Sequence, residues 1–257
     1  MTDGARTIAV SGAASGIGRA LADLLRANGD RVIGVDREET DVRADLAASE
    51  GRAEAVRGVL ERCGGVLDGL VACAGISAPE PLTIRVNFYG AVGLLEGLRP
   101  ALAAAPAPRA AVVGSISGTQ PVDRAVVAAC LEGTEEEAVR LAGEARGGTL
   151  YPSSKSALAR WLRAAAVTPA WAGAGIPLNA IAPGVVRTPM TAPLFEDEAT
   201  RKSMDDAVPM PLNGYAGPEV VAEALRWLIG PANSHITGQV VYLDGGAEAM
   251  RRGPEVY

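Results

Sequence analysis

The stretch Thr7-Ile8-Ala9-Val10-Ser11-Gly12-Ala13-Ala14-Ser15-Gly16-Ile17-Gly18 leads from a short apolar run through a glycine-rich segment into a helical pattern, Arg19 to Asn28. It reads as strand, turn, helix. Glycines in such a turn let the chain reverse tightly and let backbone N–H groups approach a phosphate, while the helix N-terminus adds partial positive charge for a pyrophosphate. An ordinary strand-to-helix turn has the same pattern, so the reading depends on the next strand. A second strand-like run, Arg31-Val32-Ile33-Gly34-Val35, ends at Asp36. That is where a dinucleotide-binding fold places its ribose-reading acid, about 20 residues beyond the glycines. A carboxylate there accepts from both ribose hydroxyls of NAD and repels the 2′-phosphate of NADP. Arg37 dissents, since an arginine could accommodate that phosphate, although it could equally point into solvent or stack on adenine. The expected cofactor is NAD ahead of NADP, held by Gly12, Ser15, Gly16, Ile17, Gly18, Asp36 and Arg37.

Further strand-like runs follow at Gly69 to Val71, Arg109 to Gly114, Pro177 to Ala182 and Gln239 to Leu243, separated by amphipathic helical stretches. The alternation predicts an α/β doubly wound parallel sheet, with right-handed crossovers that bring the C-terminal strand ends to one edge. The 257 residues, 48% of them hydrophobic, suit one large core. No linker-like run, repeat or low-complexity tract divides them, so a single domain over residues 1–257 is expected.

A net charge of −6 without a basic stripe argues against nucleic acid as a partner. The start, Met1 to Arg6, lacks the apolar core of a signal peptide, and no stretch nears the roughly 20 apolar residues of a membrane span. A cytoplasmic location without a membrane partner is expected. Cys63, Cys73 and Cys130 are odd in number and lack metal-ligand spacing, which suits a reducing compartment. Cys73 beside the cofactor loop reads as a small buried hydrophobe in preference to a reactive thiol. His235 is the only histidine, read as a surface or hinge residue, and no metal site is expected.

In Tyr151-Pro152-Ser153-Ser154-Lys155, a tyrosine and a lysine four positions apart share one helix face. A free phenol loses its proton near a pKa of about 10, so it works at neutral pH only where a fixed positive charge favours the phenolate. A chance pair on a solvated helix is the bland alternative. Together with the glycine turn, however, the pair makes the chain resemble the short-chain dehydrogenase/reductase family over nearly all of its length. Ala72-Cys73-Ala74-Gly75 resembles the family's Asn-Asn-Ala-Gly segment with both asparagines replaced. Asn87 matches its helix asparagine. Pro183-Gly184, with Val186 and Thr188 behind them, matches the segment that embraces the nicotinamide, and Asp45-Leu46 its adenine contact.

In Gly114-Ser115-Ile116-Ser117-Gly118, alignment on Gly118 puts the family's catalytic serine at Ser115, leaving Ser117 as an alternative or a structural hydroxyl. The resemblance implies a Rossmann-type fold and hydride transfer between a nicotinamide and a carbonyl or secondary alcohol. Tyr151 would exchange the proton, Lys155 would lower its pKa and hold the nicotinamide ribose, Ser115 would hydrogen-bond the substrate oxygen, and Asn87 would complete a proton relay. Ala74, Gly75, Tyr151 and Lys155 join the expected cofactor contacts.

Family members place the serine much nearer the tyrosine than the 36 positions between Ser115 and Tyr151. An insertion at about residues 119–148 is therefore expected. Val122 to Arg146 reads as two helices broken near Glu132-Gly133-Thr134-Glu135-Glu136-Glu137, with Thr134 opening the second in a capping box and the glutamates solvated. Together with Asp45-Leu46 and the close of the chain at Asp244-Gly245-Gly246, the insertion makes the chain similar to the bacterial 3α-hydroxysteroid dehydrogenase/carbonyl reductase branch, whose relatives are often described as coniferyl-alcohol dehydrogenases.

A lid at about residues 188–214 carries Met190, Leu194, Phe195, Met204, Val208, Met210 and Leu212. Apolar side chains over a nicotinamide would suit a bulky apolar alcohol or ketone. A hydroxysteroid is expected first and an aryl alcohol of the coniferyl type second, unless the lid simply packs on its own domain. A non-catalytic NAD-binding sensor or scaffold is the alternative of another class. The resemblance also implies a four-helix subunit interface through the tyrosine helix. An insertion beside that helix would block it, so a homodimer through Gln239 to Tyr257 is expected, with a tetramer as the alternative.

Overall fold

The structure, a computed structural model, describes residues 5–256. Its strands are continuous runs of small and β-branched apolar residues, the pattern of a sheet covered on both faces. β1 (Thr7–Ser11), β2 (Arg31–Asp36), β3 (Val42–Arg43), β4 (Gly69–Ala72), β5 (Arg109–Val113), β6 (Leu178–Pro183) and β7 (Val240–Leu243) form one sheet in the order β3-β2-β1-β4-β5-β6-β7. Every neighbouring pair is parallel. The strand order reverses between β1 and β4, the position at which open α/β sheets leave a crevice beyond their C-terminal ends.

α1 (Gly16–Ala27) and α9 (Pro218–Leu228) cover one face, where Leu21, Leu25, Val221 and Leu225 pack with Ile8, Val10 and Ile181. On the other face α2 (Ser49–Cys63), α4 (Ala91–Ala103) and α7 (Gly147–Ala165) bury Val59, Leu94, Leu98, Leu158 and Leu162 with Leu70 and Val112. α3 (Leu82–Ile84) runs through a π-helical turn, Arg85–Gly90, directly into α4. Two further helices are α8 (Glu198–Ala207) in the lid and α10 (Ala247–Arg252). The doubly wound architecture is thus the expected one. The short β3 and the π turn carry no periodicity long enough to read from sequence.

The insertion forms α5 (Arg124–Glu132) and α6 (Glu135–Glu144). Asp123 caps the first by accepting from the N–H groups of Ala125 and Val126, and Thr134 caps the second by accepting from Glu137 N–H at 3.2 Å. α5 lies against α7, and its Val126, Val127, Ala129 and Cys130 join the core there. Full burial of a valine stabilises by about 1.5–3 kcal/mol, so Val126 and Val127 both favour docking of the insertion on that helix. α6 packs on α5 and reaches α3 and the π turn.

Candidate active site

The chain leaves β1 at Gly12 with a φ of 71°, and a Cβ there would lie 2.9 Å from the Cα of Ala74. A Cβ on Gly18 would stand 2.1 Å from the carbonyl oxygen of Gly12. Neither position admits a side chain, so the turn presents bare backbone at the N-terminus of α1. Ser11 ties this turn to the loop after β4, its Oγ accepting from the N–H groups of Cys73 and Ala74 at 3.0 and 3.1 Å. Sequence reading passed over Ser11, because a buried serine at a strand end carries no pattern of its own.

A cleft of about 860 Å³ opens along this edge. It is lined by all the expected cofactor contacts, from Gly12, Ser15, Gly16, Ile17 and Gly18 through Asp36, Arg37, Asp45, Leu46, Ala74 and Gly75 to Pro183, Gly184, Val186 and Thr188. Ser115, Tyr151 and Lys155 line it too, and Ser117 does not. At one end Asp36 is fixed by its own backbone surroundings, Oδ2 accepting from Ala14 N–H at 3.0 Å and Oδ1 from Glu38 N–H at 3.2 Å. The Arg37 side chain is 73% exposed and pairs with Glu38 at 3.5 Å. Glu38, Arg43 and Glu54 also line this end. They escaped sequence reading because only the fold of β3 and α2 brings Arg43 and Glu54 there.

At the other end Ser115 Oγ accepts from Ser117 N–H at 3.1 Å. Desolvation pushes the Tyr151 phenol above its ordinary pKa, and the Ser115 hydroxyl pulls it back down. Burial pushes Lys155 down to about 8. Its Nζ donates to the Val113 carbonyl at 2.8 Å and lies 5.7 Å from the Tyr151 ring centroid. The shared helix face is therefore present, but the lysine reaches past the phenol to β5. Ser115 is the hydrogen-bonding neighbour that favours the phenolate, and the Lys155 ammonium stands beside the ring without bonding its hydroxyl.

Asn87 sits behind the cleft, fully buried in the π turn. Its Oδ1 accepts from Ile76 N–H at 2.8 Å, and its Nδ2 donates to the Ile76 carbonyl and to Ser154 Oγ at 2.9 and 3.0 Å. Ser154 in turn donates to the Tyr151 carbonyl at 2.8 Å. Ser154 is a positioning group that sequence reading missed, although its place three residues after Tyr151 puts it on a related helix face. A Cβ on Gly75 would lie 3.3 Å from Asn87 Oδ1 and 3.6 Å from Lys155 Nζ, so the bare glycine leaves the gap between those two groups open.

Of its two expected courses the lid largely takes the second, packing on its own domain. Phe195, Met204, Val208 and Met210 turn into a cluster of their own with Ile116, Val185 and Tyr215. Of the seven apolar lid residues named from sequence, only Met190 lines the cleft, together with Ile76, Leu82 and Val86 from the other side of the chain. The cause is the close approach of Met210, whose Sδ accepts from Val185 N–H at 3.2 Å and fills the space above Gly184.

Cys73 is half-buried at the cleft, and burial pushes its thiol up to about 12, which keeps it protonated at neutral pH. His235 is exposed, with Nδ1 2.8 Å from Ser234 Oγ. Among the described residues there is no group of three His, Cys, Asp or Glu able to hold a metal ion. Nor is any of their helices long and apolar enough to cross a membrane.

Two family models match the chain: short chain dehydrogenase over residues 6–129 and Enoyl-(Acyl carrier protein) reductase over residues 135–248. The seam between them falls within the insertion. A 3-alpha-hydroxysteroid dehydrogenase/carbonyl reductase of Comamonas testosteroni is 36% identical over 253 residues, covering 95% of this chain and 97% of its own. The crystal structure of a 3-alpha-hydroxysteroid dehydrogenase from Pseudomonas sp. B-0831 complexed with NADH is 43% identical and superposes with a TM-score of 0.89, covering 96% of this chain and 98% of that one. A gluconate 5-dehydrogenase described as putative, from Beutenbergia cavernae with NADP bound at low occupancy, is 28% identical with a TM-score of 0.75, covering 95% and 97%.

Proposed function

This chain belongs to the short-chain dehydrogenase/reductase family, and we propose that it interconverts a secondary alcohol and a carbonyl with NAD, acting on a hydroxysteroid or a similarly bulky apolar substrate. The observation that carries this reading is the convergence of Ser115, Tyr151 and Lys155 on one end of a cleft whose other end is closed by Asp36. The residues present fit the cofactor, because Gly12, Ser15, Gly16, Ile17 and Gly18 line the cleft at the N-terminus of α1, where the close backbone packing at Gly12 and Gly18 leaves no room for side chains that would cover the N–H groups. Bound there, NAD supplies the hydride acceptor or donor. The turn from Gly12 to Gly18 and the N-terminus of α1 hold its pyrophosphate, Asp36 its adenosine ribose, and Pro183 to Thr188 its nicotinamide.

Tyr151 gives its phenolic proton to the carbonyl oxygen in reduction and takes one from the alcohol in oxidation. Ser115 donates a hydrogen bond to that oxygen as it gains charge. The proton on Tyr151 is exchanged with solvent through the gap between Lys155 and Asn87. Ile76, Leu82, Val86 and Met190 give the substrate an apolar wall, which suits a ring system better than a polyol.

The test is a panel of 3-hydroxysteroids, 3-ketosteroids, coniferyl-type alcohols, small ketones and sugars, each assayed with both coenzymes. Activity on the apolar members is expected, with kcat/KM at least about tenfold higher for NAD than for NADP, because a 2′-phosphate beside Asp36 and Glu38 meets like charge. Asp36→Ala is expected to narrow that preference. Activity confined to sugars or hydroxy acids sinks the apolar reading, NADP preference means that Arg37 commands the pocket, and coenzyme binding with no turnover anywhere favours a sensor.

For assembly, α5 already occupies a face of α7, while Val220 and Trp227 on α9, Val241 on β7 and Met250 on α10 are exposed. A homodimer through the C-terminal region is expected from light scattering, and Trp227→Glu should shift it towards monomer. A stable tetramer would mean that the insertion leaves the α7 surface free.

A further inference from the structure

Glu135 opens α6, and it is the one acid of Glu135-Glu136-Glu137 that is not solvated as its sequence suggests; Glu136 and Glu137 remain exposed. Its carboxylate is shared by two arginines from distant parts of the chain. Arg52 of α2 donates Nη2 to Oε2 at 2.5 Å, and Arg85 donates Nη1 to Oε1 at 3.0 Å. The side chains of Glu135 and Arg52 are only 19% and 12% exposed, so the pairing is shielded from solvent.

Arg85 is the first residue of the π turn. Tyr89, later in the same turn, donates its hydroxyl to the Thr134 carbonyl at 3.3 Å. Burial holds that phenol above its ordinary pKa, so it remains a donor. The insertion therefore grips the π turn two residues before Asn87 and two residues after it. π turns are rare because their register is less favourable than that of an α-helix, so outside contacts decide how such a turn is set. Arg52 also donates to the carbonyls of Leu46 and Ala47 at 3.2 and 3.3 Å, on the adenine side of the cleft.

We propose that Glu135 is a positioning residue for the oxidoreductase reaction, acting through Arg85 to set the π turn so that Asn87 stays bonded to Ile76 and Ser154 behind Lys155. The proposal rests on the oxidoreductase reading of the cleft. Removing the carboxylate leaves two guanidinium groups facing each other without their common counter-ion, and their repulsion falls on the π turn. Arg52 keeps its carbonyl partners at Leu46 and Ala47, so the adenine end is spared.

The experiment compares Glu135→Gln, Glu135→Asp, Arg85→Gln and the Glu135→Gln/Arg85→Gln double variant in the full chain. Steady-state reduction of a 3-ketosteroid and of 9,10-phenanthrenequinone is measured with NADH, and NADH affinity separately by fluorescence titration. Glu135→Gln and Arg85→Gln are each expected to lower kcat about tenfold, the scale of a misplaced proton path, with NADH affinity within about twofold of the parent. The double variant should be no slower than either single one, and Glu135→Asp should recover part of the rate because it retains the charge. Unchanged kcat in Glu135→Gln overturns the proposal. So does a loss of rate that adds fully in the double variant, or one accompanied by an equal loss of NADH affinity. A parent protein inert on both probes with NADH and NADPH overturns the oxidoreductase reading itself, and the proposal with it.

Discussion

Tyr151→Phe is expected to lower kcat/KM by about 10²–10⁴-fold while leaving NADH affinity within about twofold, because the substitution removes one proton-carrying oxygen and nothing else. The ring that lines the cleft remains, and Lys155 keeps its bond to the Val113 carbonyl at 2.8 Å. A pH profile gives the same residue a second signature. Desolvation holds the Tyr151 phenol above its ordinary value, with Ser115 opposing. At neutral pH the free protein therefore carries the proton donor needed for reduction, and only a small fraction carries the phenolate needed for oxidation. kcat/KM for reduction should be nearly flat around neutrality, whereas kcat/KM for oxidation should climb with pH into the alkaline range. Steady-state kinetics in both directions checks this. Tyr151→Phe at full rate, or oxidation that falls as pH rises, would remove Tyr151 from the proton-transfer role.

What could be read from the sequence was whatever is written within one turn or one strand. The glycines of residues 12–18, Asp36 at the end of β2, and Tyr151 with Lys155 on one face of α7 each state their geometry through local spacing. The structure brings all of them to one cleft. The two insertion helices were legible for the same reason, since Thr134 caps α6 through its own neighbour Glu137.

The remainder is tertiary. Glu135 looks solvated within its acidic run, and only pairing with Arg85 and Arg52, 50 and 83 positions away, draws it in. The bond from Asn87 to Ser154 spans 67 positions, and the one from Ser11 to Ala74 spans 63. The lid was left with two readings for a related reason: an apolar methionine packs equally well over a substrate or over a neighbouring backbone, and the choice made by Met210 depends on how close Gly184 lets it come. Lys155 shares the expected face with Tyr151, yet the nearest carbonyl decides where its ammonium ends.

Lys155→Met is expected to abolish most activity and at the same time to make the protein more stable at neutral pH. The lysine is 4% exposed, and burial lowers its pKa from 10.5 to about 8. Below about pH 8 the folded protein must hold a poorly hydrated ammonium, whereas the unfolded chain holds the same charge in water. Between about 8 and 10.5 the folded form gives up its proton first, so the unfolded state binds more protons and the lysine's unfavourable contribution fades as pH rises. At about 1.4 kcal/mol per pKa unit this amounts to about 3 kcal/mol at neutral pH, and loss of the hydrogen bond to the Val113 carbonyl returns about 1–2 kcal/mol of it. The net gain of about 1–2 kcal/mol corresponds to a Tm higher by about 2–6 °C for a chain of this size. Because the wild-type penalty disappears in alkali, the advantage of the methionine should be largest near pH 6.5 and gone by about pH 10. Turnover at neutral pH should fall by about 10²–10³-fold, since on the proposed reading Lys155 is the donor that would hold the nicotinamide ribose and a methionine cannot replace it. Thermal unfolding at the two pH values, beside the rates, separates the two effects. A Tm that drops at pH 6.5 would show that the ammonium supports the fold through Val113 more than its burial costs, and the stability half of the argument would fail even if the rate fell as expected.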